Sequence, residues 1–593
     1  MTSDIEIASQ RYMLFHYVPL VLVLLVITLV RIRLLNVPLE RDEGEYAYMG
    51  QLLLKGIPPY VNAYTMKLPG VSIVYAVFMI LFGQTTFAIH LGLLITNILS
   101  AGLIWLLARR IFDLQTATYS TIIYLVLSLS QGTLGVFAHA THFVILFSLA
   151  GCILLLQYVA KRRMYMIASS GFCFGLAVTM KQHAVILAIF AFLYLLWNTD
   201  KQGDYWKHLL SECALFLVSA ITPLSAIVLW LSHAGVFGQF WFWTVEYAQE
   251  YVASMSLTVG LLILIHKVVR ITSYQLPIWI FACAGVVFLW KRRSSNIDRL
   301  FMFGFLFFAF LAICPGFYFR AHYFIIILPP IALFAGFAVR ESTNLVLART
   351  SSWLHHAVPI ILLAALISYG LYKERLYLFT LSPKEVSQDT YDINPFPESI
   401  LIARYLKAHT TLNDKIAVLG SEPQIYFYTN RLSATGHIYM YGLMENHPNA
   451  EKMQLEMIKE IEASRPLYIV KVCILKSWPV NSDSPKNLIQ WSNTYINQNY
   501  KLVGITDRSG GNTNYVWDNM VTNYVPKSDS SIYIYKRTGK LNMPLPKTLI
   551  RNRFKIEHIL YQNELIHDSG IYDHSWFRAS RIGTFTRCNS GSV

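Results

Sequence analysis

Arg41-Asp42-Glu43-Gly44-Glu45-Tyr46 stands just past the first apolar run of the chain, Leu14 to Val30, which carries no charged residue. With its flanks, that run supplies the ~20 residues a helix needs to cross ~30 Å of hydrocarbon. Three carboxylates therefore sit at a membrane exit, where charge costs free energy unless it is solvated, paired or used. Two readings follow: a functional site, or an acidic interfacial turn balanced by Arg31, Arg33 and Arg41.

The rest of the composition favours a membrane setting. Of 593 residues, 55% are hydrophobic and 14% charged, against roughly 25% charged in soluble domains. The net charge of +15 comes from Lys and Arg in short clusters between apolar runs, the pattern of membrane topology rather than of a nucleic-acid-binding stripe. Among seven cysteines, Cys152, Cys173, Cys213, Cys283 and Cys314 lie in or beside apolar runs. With no C-x-x-C pair and no zinc-type His/Cys spacing, neither a disulfide framework nor a structural metal is expected. The first apolar run exceeds a signal-peptide core and lacks a small-residue cleavage site, so it is expected to remain as a transmembrane helix.

Apolar runs predict spans near 14–34, 85–108, 116–136, 142–160, 164–180, 183–197, 209–231, 277–290, 300–315, 323–339 and 354–372. Their odd number puts the termini on opposite sides. Arg109-Arg110, Lys161-Arg162-Arg163, Lys201 with Lys207, Lys291-Arg292-Arg293 with Arg299, and Arg340 with Arg349 fall on alternate loops, which are read as cytoplasmic. The loops holding Asp42, Lys67, Lys181 and Arg320 then lie on the outer side, with everything after Lys373. Met255–Ile265 is read as an interfacial or re-entrant helix, and an error of one span there would invert everything downstream. The outer loop 35–84, interrupted by Pro58-Pro59 and Pro69-Gly70, reads as two amphipathic helices on the membrane surface. Gly235–Tyr251 is dense in aromatic residues, as in an interfacial belt, a lid or a lipid-tail groove.

The expected fold class is a polytopic α-helical membrane protein of about 11 transmembrane helices with a C-terminal soluble α/β domain. Residues 1–372 form the membrane domain and 373–540 the outer domain. In the latter, Lys415–Gly420, Glu451–Ala463 and Leu467–Val472 read as strand, helix and strand of a parallel sheet. Residues 541–593 form a basic tail on which no structure is forced. Tyr426, Tyr428, Tyr439 and Tyr441 read as alternating strand residues that pack in a core or stack on sugars.

Polar groups that fit no packing scheme recur on the outer side: Asp42, Glu43 and Glu45; Lys67; His139 and His142; Lys181 with Gln182 and His183; Arg320, His322 and Tyr323. A single Lys can simply snorkel to the interface. Arg320-Ala-His322-Tyr323 instead places anion-binding groups level with lipid head groups, where Arg holds phosphate in bidentate fashion. A carboxylate facing cationic phosphate ligands can take a proton from an acceptor hydroxyl while the cations stabilise a departing lipid phosphate.

The outer loop, Asp42-Glu43-Gly-Glu-Tyr46 with Leu52-Leu-Leu-Lys-Gly56-Ile-Pro-Pro-Tyr60 and Lys67-Leu-Pro69-Gly70, resembles the first outer loop of GT-C fold glycosyltransferases. These are the bacterial relatives of the dolichyl-phosphate-mannose protein mannosyltransferases and the lipid A aminoarabinose transferases. Thr179-Met-Lys181-Gln182, the Gly235–Trp243 loop, Phe319-Arg320-Ala-His322-Tyr323 and, in the soluble part, Val418–Pro423 through Arg431 extend the resemblance. It implies a hexosyl- or pentosyltransferase of class EC 2.4 in a bacterial inner membrane, with the N-terminus cytoplasmic. The donor it implies is a polyprenyl-phosphate sugar, transferred with inversion to a lipid, polysaccharide or protein hydroxyl, and no nucleic acid is involved. By the same resemblance Asp42 is the base or acceptor-orienting carboxylate and Glu43 its partner, while Lys67, Arg320, His322, Tyr323 and Lys181 hold the donor phosphate. No cofactor is required; a divalent cation, Mg or Mn on Asp42 and Glu43, stays open. Where relatives often carry a second acidic residue, this chain reads His139-Ala-Thr-His142, which makes His142 a proton acceptor or donor contact and a metal-bridged carboxylate pair less expected.

A transporter or flippase of lipid-linked sugars is the main alternative, but no repeated halves are visible. A non-catalytic scaffold binding envelope glycans is the other, and Asp42, Glu43 and Lys67 speak against it. Neither sugar nor acceptor can be named from the sequence.

Overall fold

The computed structural model describes residues 2–199, 204–292, 299–347, 354–509 and 512–538. The basic tail 541–593 lies outside them, as do Lys201, Arg293 and Arg349 of the basic loops. Helix α1 (Thr2–Arg33) leads into the first loop, whose two helices α2 (Arg41–Leu54) and α3 (Gly70–Phe82) precede α4 (Thr86–Ile111) and α5 (Leu114–Leu127). Next come α6 (Ala140–Lys161), α7 (Met164–Met180), α8 (Val185–Asn198), α9 (Tyr205–His233), α10 (Leu257–Tyr274), α11 (Leu276–Lys291), α12 (Arg299–Leu311), α13 (Leu328–Leu347) and α14 (Leu354–Lys373). Several are long and apolar enough to cross a membrane, and the chain is a multi-pass membrane protein. Side-chain caps open many of them: Thr85, Asp113 and Ser256 each accept a backbone N–H of the first turn.

Two expected spans are shorter than the apolar runs suggested. The run 116–136 stays helical only to Leu127, because Ser128–Phe137 folds as a loop around the buried Arg31 guanidinium, which donates to Ser128 O (2.8 Å) and Gly135 O (3.2 Å). The run from Tyr323 begins as a 3-10 turn, Ala321–Ile327, and the α-helix starts at Leu328 with Pro329 and Pro330 in its first turn, where a missing N–H costs nothing.

Helix α10 has 18 residues and is long and apolar enough to cross a membrane. Both its ends, however, contact segments on the side of the first loop. Gly260 lies against Phe317, and Ile271 and Tyr274 lie against Gly132. Gln275, at its C-terminal end, donates to Glu374 Oε2 (3.3 Å) where α14 leaves the membrane. The helix therefore returns the chain to the side from which it set out, with Leu257, Leu261, Leu262, Ile265 and Val269 exposed along one face.

The C-terminal domain holds a six-stranded sheet ordered β2-β1-β3-β6-β4-β5, made of β1 (Lys415–Leu419), β2 (Leu432–Ser433), β3 (Tyr468–Cys473), β4 (Tyr500–Ser509), β5 (Asn512–Trp517) and β6 (Ser531–Arg537). Strands β2, β1 and β3 are parallel, as helix crossovers require, and Ala450–Ser464 is the helix between β1 and β3. The other half is antiparallel: β4 pairs with β5, and β6 inserts between β3 and β4. The sheet is thus mixed rather than parallel throughout.

This domain sits on the first loop. Arg41 is buried and donates to Ser421 O (2.6 Å), Tyr441 OH (2.8 Å), Asn394 Oδ1 (3.0 Å) and Glu422 Oε1 (3.3 Å). Gly44 packs on the backbone of Gln424, where a Cβ would come within 2.6 Å of the Gln424 nitrogen. Tyr426 and Tyr428 belong to a helix, Gln424–Thr429, and not to a strand; their hydroxyls accept from the backbone N–H of Val418 and Leu39. In the aromatic loop Trp243 stacks on Tyr64 of the first loop (5.5 Å) and meets His437 edge-on (5.7 Å), and Tyr247 donates to Glu445 (2.9 Å), so these two residues dock the soluble domain. Replacing Arg41 by Met leaves Glu422 buried without its cation, a change of about 3–5 kcal/mol in comparable buried pairs. Amide exchange in α2 and Gln424–Thr429 should accelerate in Arg41→Met and slow again in Arg41→Met/Glu422→Gln; unchanged exchange would exclude this lock.

Candidate active site

Helix α2 starts at Arg41, where Glu40 and Glu43 form a reciprocal capping box. Successive helix residues diverge by about 100°, so Asp42 shares a face with Glu45 and Tyr46 and not with Glu43. On that face the Lys67 ammonium donates to Asp42 Oδ1 at 2.8 Å and Glu45 Oε2 at 2.6 Å, and lies 4.6 Å from the centre of the Tyr46 ring. Lys67 is brought there by its own loop. Gln182 donates to Met66 O (2.8 Å), and Gly70 sits on Thr179 so closely that a Cβ would lie 2.4 Å from its carbonyl oxygen.

Glu43 faces elsewhere. Its Oε1 accepts from His90 Nε2 (2.9 Å) and the backbone N–H of Ala138 (2.5 Å), and its Oε2 from the N–H of Glu40. It is fully buried and ties α2 to α4 and to the loop before α6. The expected pairing of Glu43 with Asp42, as partner or shared metal ligand, is therefore replaced by Glu45 as the second carboxylate on Lys67 and by histidines beside Asp42. His139 and His322 stack at 4.1 Å, and one ligand atom from each lies within 4.8 Å of an Asp42 oxygen. His142 is buried one turn deeper in α6 and stands outside this group.

Lys181, at the C-terminal end of α7, places its ammonium 4.0 Å from the centre of the Tyr323 ring, and the Arg320 guanidinium lies 5.3 Å from that of Tyr318. Two further groups come from the soluble domain. Tyr439 donates to Asp42 Oδ1 at a long 3.4 Å with its ring 5.8 Å from the Lys67 ammonium, and Tyr441 stands beside it. Nothing local in the sequence joins Tyr439 to Asp42, 397 positions away.

Electrostatics sorts these groups. Burial alone would raise Asp42, but Lys67, His139 and Lys181 outweigh it and hold the carboxyl well below its usual range. For Glu45 burial wins, and its pKa is raised. Burial pushes His139 down to about 4, leaving a neutral imidazole. Burial, with Lys67 and Arg320 nearby and against the pull of Asp42, lowers Lys181 to about 7. The result is one ionised carboxylate, one permanently charged ammonium and a second ammonium poised near neutrality, all under the soluble domain.

Residues 66–224 match the family described as dolichyl-phosphate-mannose-protein mannosyltransferase. No curated protein matches the chain. Among solved structures, ArnT from Cupriavidus metallidurans bound to undecaprenyl phosphate superposes with a TM-score of 0.56 at 15% identity, over 89% of this chain and 99% of that one. The fold is GT-C. ArnT in its apo state gives a TM-score of 0.52 at 15% identity over 86% and 98% of the two chains. The archaeal oligosaccharyltransferase AglB from Archaeoglobus fulgidus, in complex with an inhibitory peptide and a dolichol-phosphate, gives 0.50 at 14% identity over 88% and 76%. In this GT-C chain the stretch that matches the mannosyltransferase family supplies Lys67, His139 and Lys181, whereas Asp42, Arg320 and His322 lie outside it.

Proposed function

We propose that this protein is a membrane glycosyltransferase that moves a hexosyl or pentosyl group from a polyprenyl-phosphate donor to a hydroxyl acceptor on the outer face of a bacterial inner membrane. The observation that carries the reading is the Asp42–Lys67 pair at 2.8 Å, at the membrane exit of the first loop and beside Lys181 and Arg320. The phosphate of the donor enters among Lys67, Lys181 and Arg320, with its polyprenyl tail in the bilayer. As the bond between the anomeric carbon and the phosphate oxygen breaks, its electron pair goes to that oxygen, where the three cations offset the growing charge. The acceptor oxygen attacks from the opposite face, so the configuration inverts. Asp42, kept ionised by Lys67, orients the hydroxyl and takes its proton late, when bond formation has made it acidic. Tyr439 and Tyr441 make the soluble domain one wall of the site.

Radiolabelled polyprenyl-phosphate sugars offered to the lipid-reconstituted protein with mixed envelope acceptors test this directly. Acceptor-dependent sugar release is expected; a bound lipid phosphate with no donor consumed under any acceptor would return the protein to the transporter class. A pH titration probes Lys181. Its lowered pKa means that the ammonium is present below about pH 7 and lost above it, while a bound phosphate favours the charged form. Donor affinity should fall as pH rises from 6 to 8.5, and Lys181→Arg should flatten the profile at the high-affinity level. A wild-type profile already flat over that range would remove Lys181 from the phosphate site.

A further inference from the structure

We propose that a cavity on the far side of α2 from Asp42 binds the headgroup of an anionic lipid that carries both a phosphate and free hydroxyls, of the phosphoglycerol class. Nothing in this site depends on sugar transfer. The cavity measures about 430 Å³ and is lined, among others, by Gln51 of α2, Thr86 and Phe87 of α4, and Lys407, Tyr428 and Asn430 of the soluble domain. That volume falls in the range of small-molecule sites, ~300–1,000 Å³. Gln51 follows Asp42 by nine positions, and nine steps of about 100° turn it to the opposite face of α2. The cavity is therefore separate from the cluster around Lys67. One side of it is the first turn of α4, an apolar helix long enough to cross a membrane, so it lies at the depth of lipid headgroups.

Two kinds of group meet there. The first binds anions. The opening N–H groups of α4, at Thr86 and Phe87, have no partner within the helix, and the helix dipole adds to their pull on a phosphate. Lys407 is the one charged side chain among the described lining residues, and no carboxylate joins it. The second kind accepts from hydroxyls. Gln51 is 2% exposed and its Nε2 donates to Gln84 Oε1 and Phe427 O, both at 3.1 Å, yet its Oε1 has no partner among the described residues. The Oδ1 of Asn430 is likewise buried without a partner there. Buried acceptors in that state are rare, and an O–H of a molecule filling the cavity satisfies them.

The combination decides the class of headgroup. An ethanolamine headgroup brings an ammonium that would face Lys407 with no carboxylate to receive it, and a phosphate without hydroxyls leaves the amide oxygens unmet. A phosphate bearing a glycerol satisfies both sets. The acyl chains also have a path. Helix α4 exposes Phe87, Ile95, Ile98, Leu99 and Leu106, which the 100° step gathers into about one third of its circumference, an apolar stripe that starts at the cavity. Because α2, α4 and the soluble domain share the cavity, a bound lipid clamps the two domains together.

The test is thermal unfolding of the full chain in detergent micelles stripped of lipid, titrated with phosphatidylglycerol, phosphatidylethanolamine or phosphatidic acid of identical chains, and with soluble glycerol 1-phosphate. Half-saturation of the stabilisation is expected at a mole fraction of phosphatidylglycerol about five-fold below that of either other lipid, with glycerol 1-phosphate ineffective at millimolar concentration. Lys407→Gln should raise the half-saturating fraction of both anionic lipids about five-fold. Gln51→Met and Asn430→Gly, the second of which keeps the left-handed backbone at φ 54°, should remove the preference over phosphatidic acid and leave that over phosphatidylethanolamine. Lys459→Gln, exposed on the helix Ala450–Ser464 outside the cavity, should change nothing. Equal half-saturation by phosphatidylglycerol and either other lipid, or a phosphatidylglycerol response unchanged in both Lys407→Gln and Gln51→Met, would overturn the proposal. So would stabilisation by glycerol 1-phosphate as strong as that by the lipid, which would make the ligand a soluble phosphate. If Gln51→Met unfolds, Lys407→Gln and Asn430→Gly still decide it.

Discussion

Asp42→Asn should lower sugar transfer by about 10²- to 10⁴-fold, the range a positioned proton acceptor contributes, while donor affinity changes by only a few-fold. That loss corresponds to about 3–5 kcal/mol of barrier. The amide keeps the shape of the side chain and still accepts from Tyr439, and Lys67 retains Glu45 at 2.6 Å, so the phosphate cations stay in place. A side effect has a definite sign. Asp42 is the group that raises Lys181, and its neutralisation should move the pH dependence of donor binding to lower pH. Single-turnover transfer and equilibrium donor binding, measured on the same reconstituted samples, separate the two quantities. Turnover within three-fold of the native protein would exclude Asp42 as base, and a matching loss of donor affinity would make it part of the binding site instead.

Asp42 was visible in the sequence; that Glu45 rather than Glu43 shares Lys67 with it was not. The order of spans, the acidic stretch after the first of them and the strand–helix–strand segment of the soluble domain were legible because hydropathy and periodicity are local. The choice between Glu43 and Glu45 depends on where α2 begins. Once Glu40 caps the helix, the 100° step turns Glu43 into the protein and leaves Glu45 beside Asp42. A capping box is itself a sequence signal, but its familiar form opens with Ser or Thr, and Glu40 does not advertise one. Arg41 looked like a charge balancing its acidic neighbours, whereas it is the anchor of the soluble domain, held by Ser421 and Glu422. No local pattern could reveal that contact, nor the approach of Tyr439 or the stacking of His139 on His322, since each joins segments brought together only by the closed fold. The end of α5 at Leu127 has the same origin: only the buried Arg31 explains why an apolar run stops being a helix there.

Lys67→Ala should combine the largest loss of donor affinity with a loss of stability, and a double variant should separate them. In the native site one ammonium serves two carboxylates, and removing it leaves Asp42 and Glu45 facing each other with little solvent, Glu45 having a side chain only 4% exposed. Removing one partner of a buried pair typically costs 3–5 kcal/mol, because the other charge stays behind. Glu45 can escape part of that cost by taking up a proton, since burial already raises its pKa. Lys67→Ala should therefore be most destabilised at alkaline pH, where both carboxylates are charged, and recover as pH falls toward 5. Adding Glu45→Gln removes one of the two charges and should restore most of the stability at pH 8. It should restore none of the donor affinity, because the phosphate still lacks its ammonium. Thermal unfolding at pH 5 and 8, beside donor binding for the single and double variants, yields both numbers. Recovery of donor binding along with stability in Lys67→Ala/Glu45→Gln would show that Lys67 only holds the loop together, and the phosphate would then rest on Lys181 and Arg320.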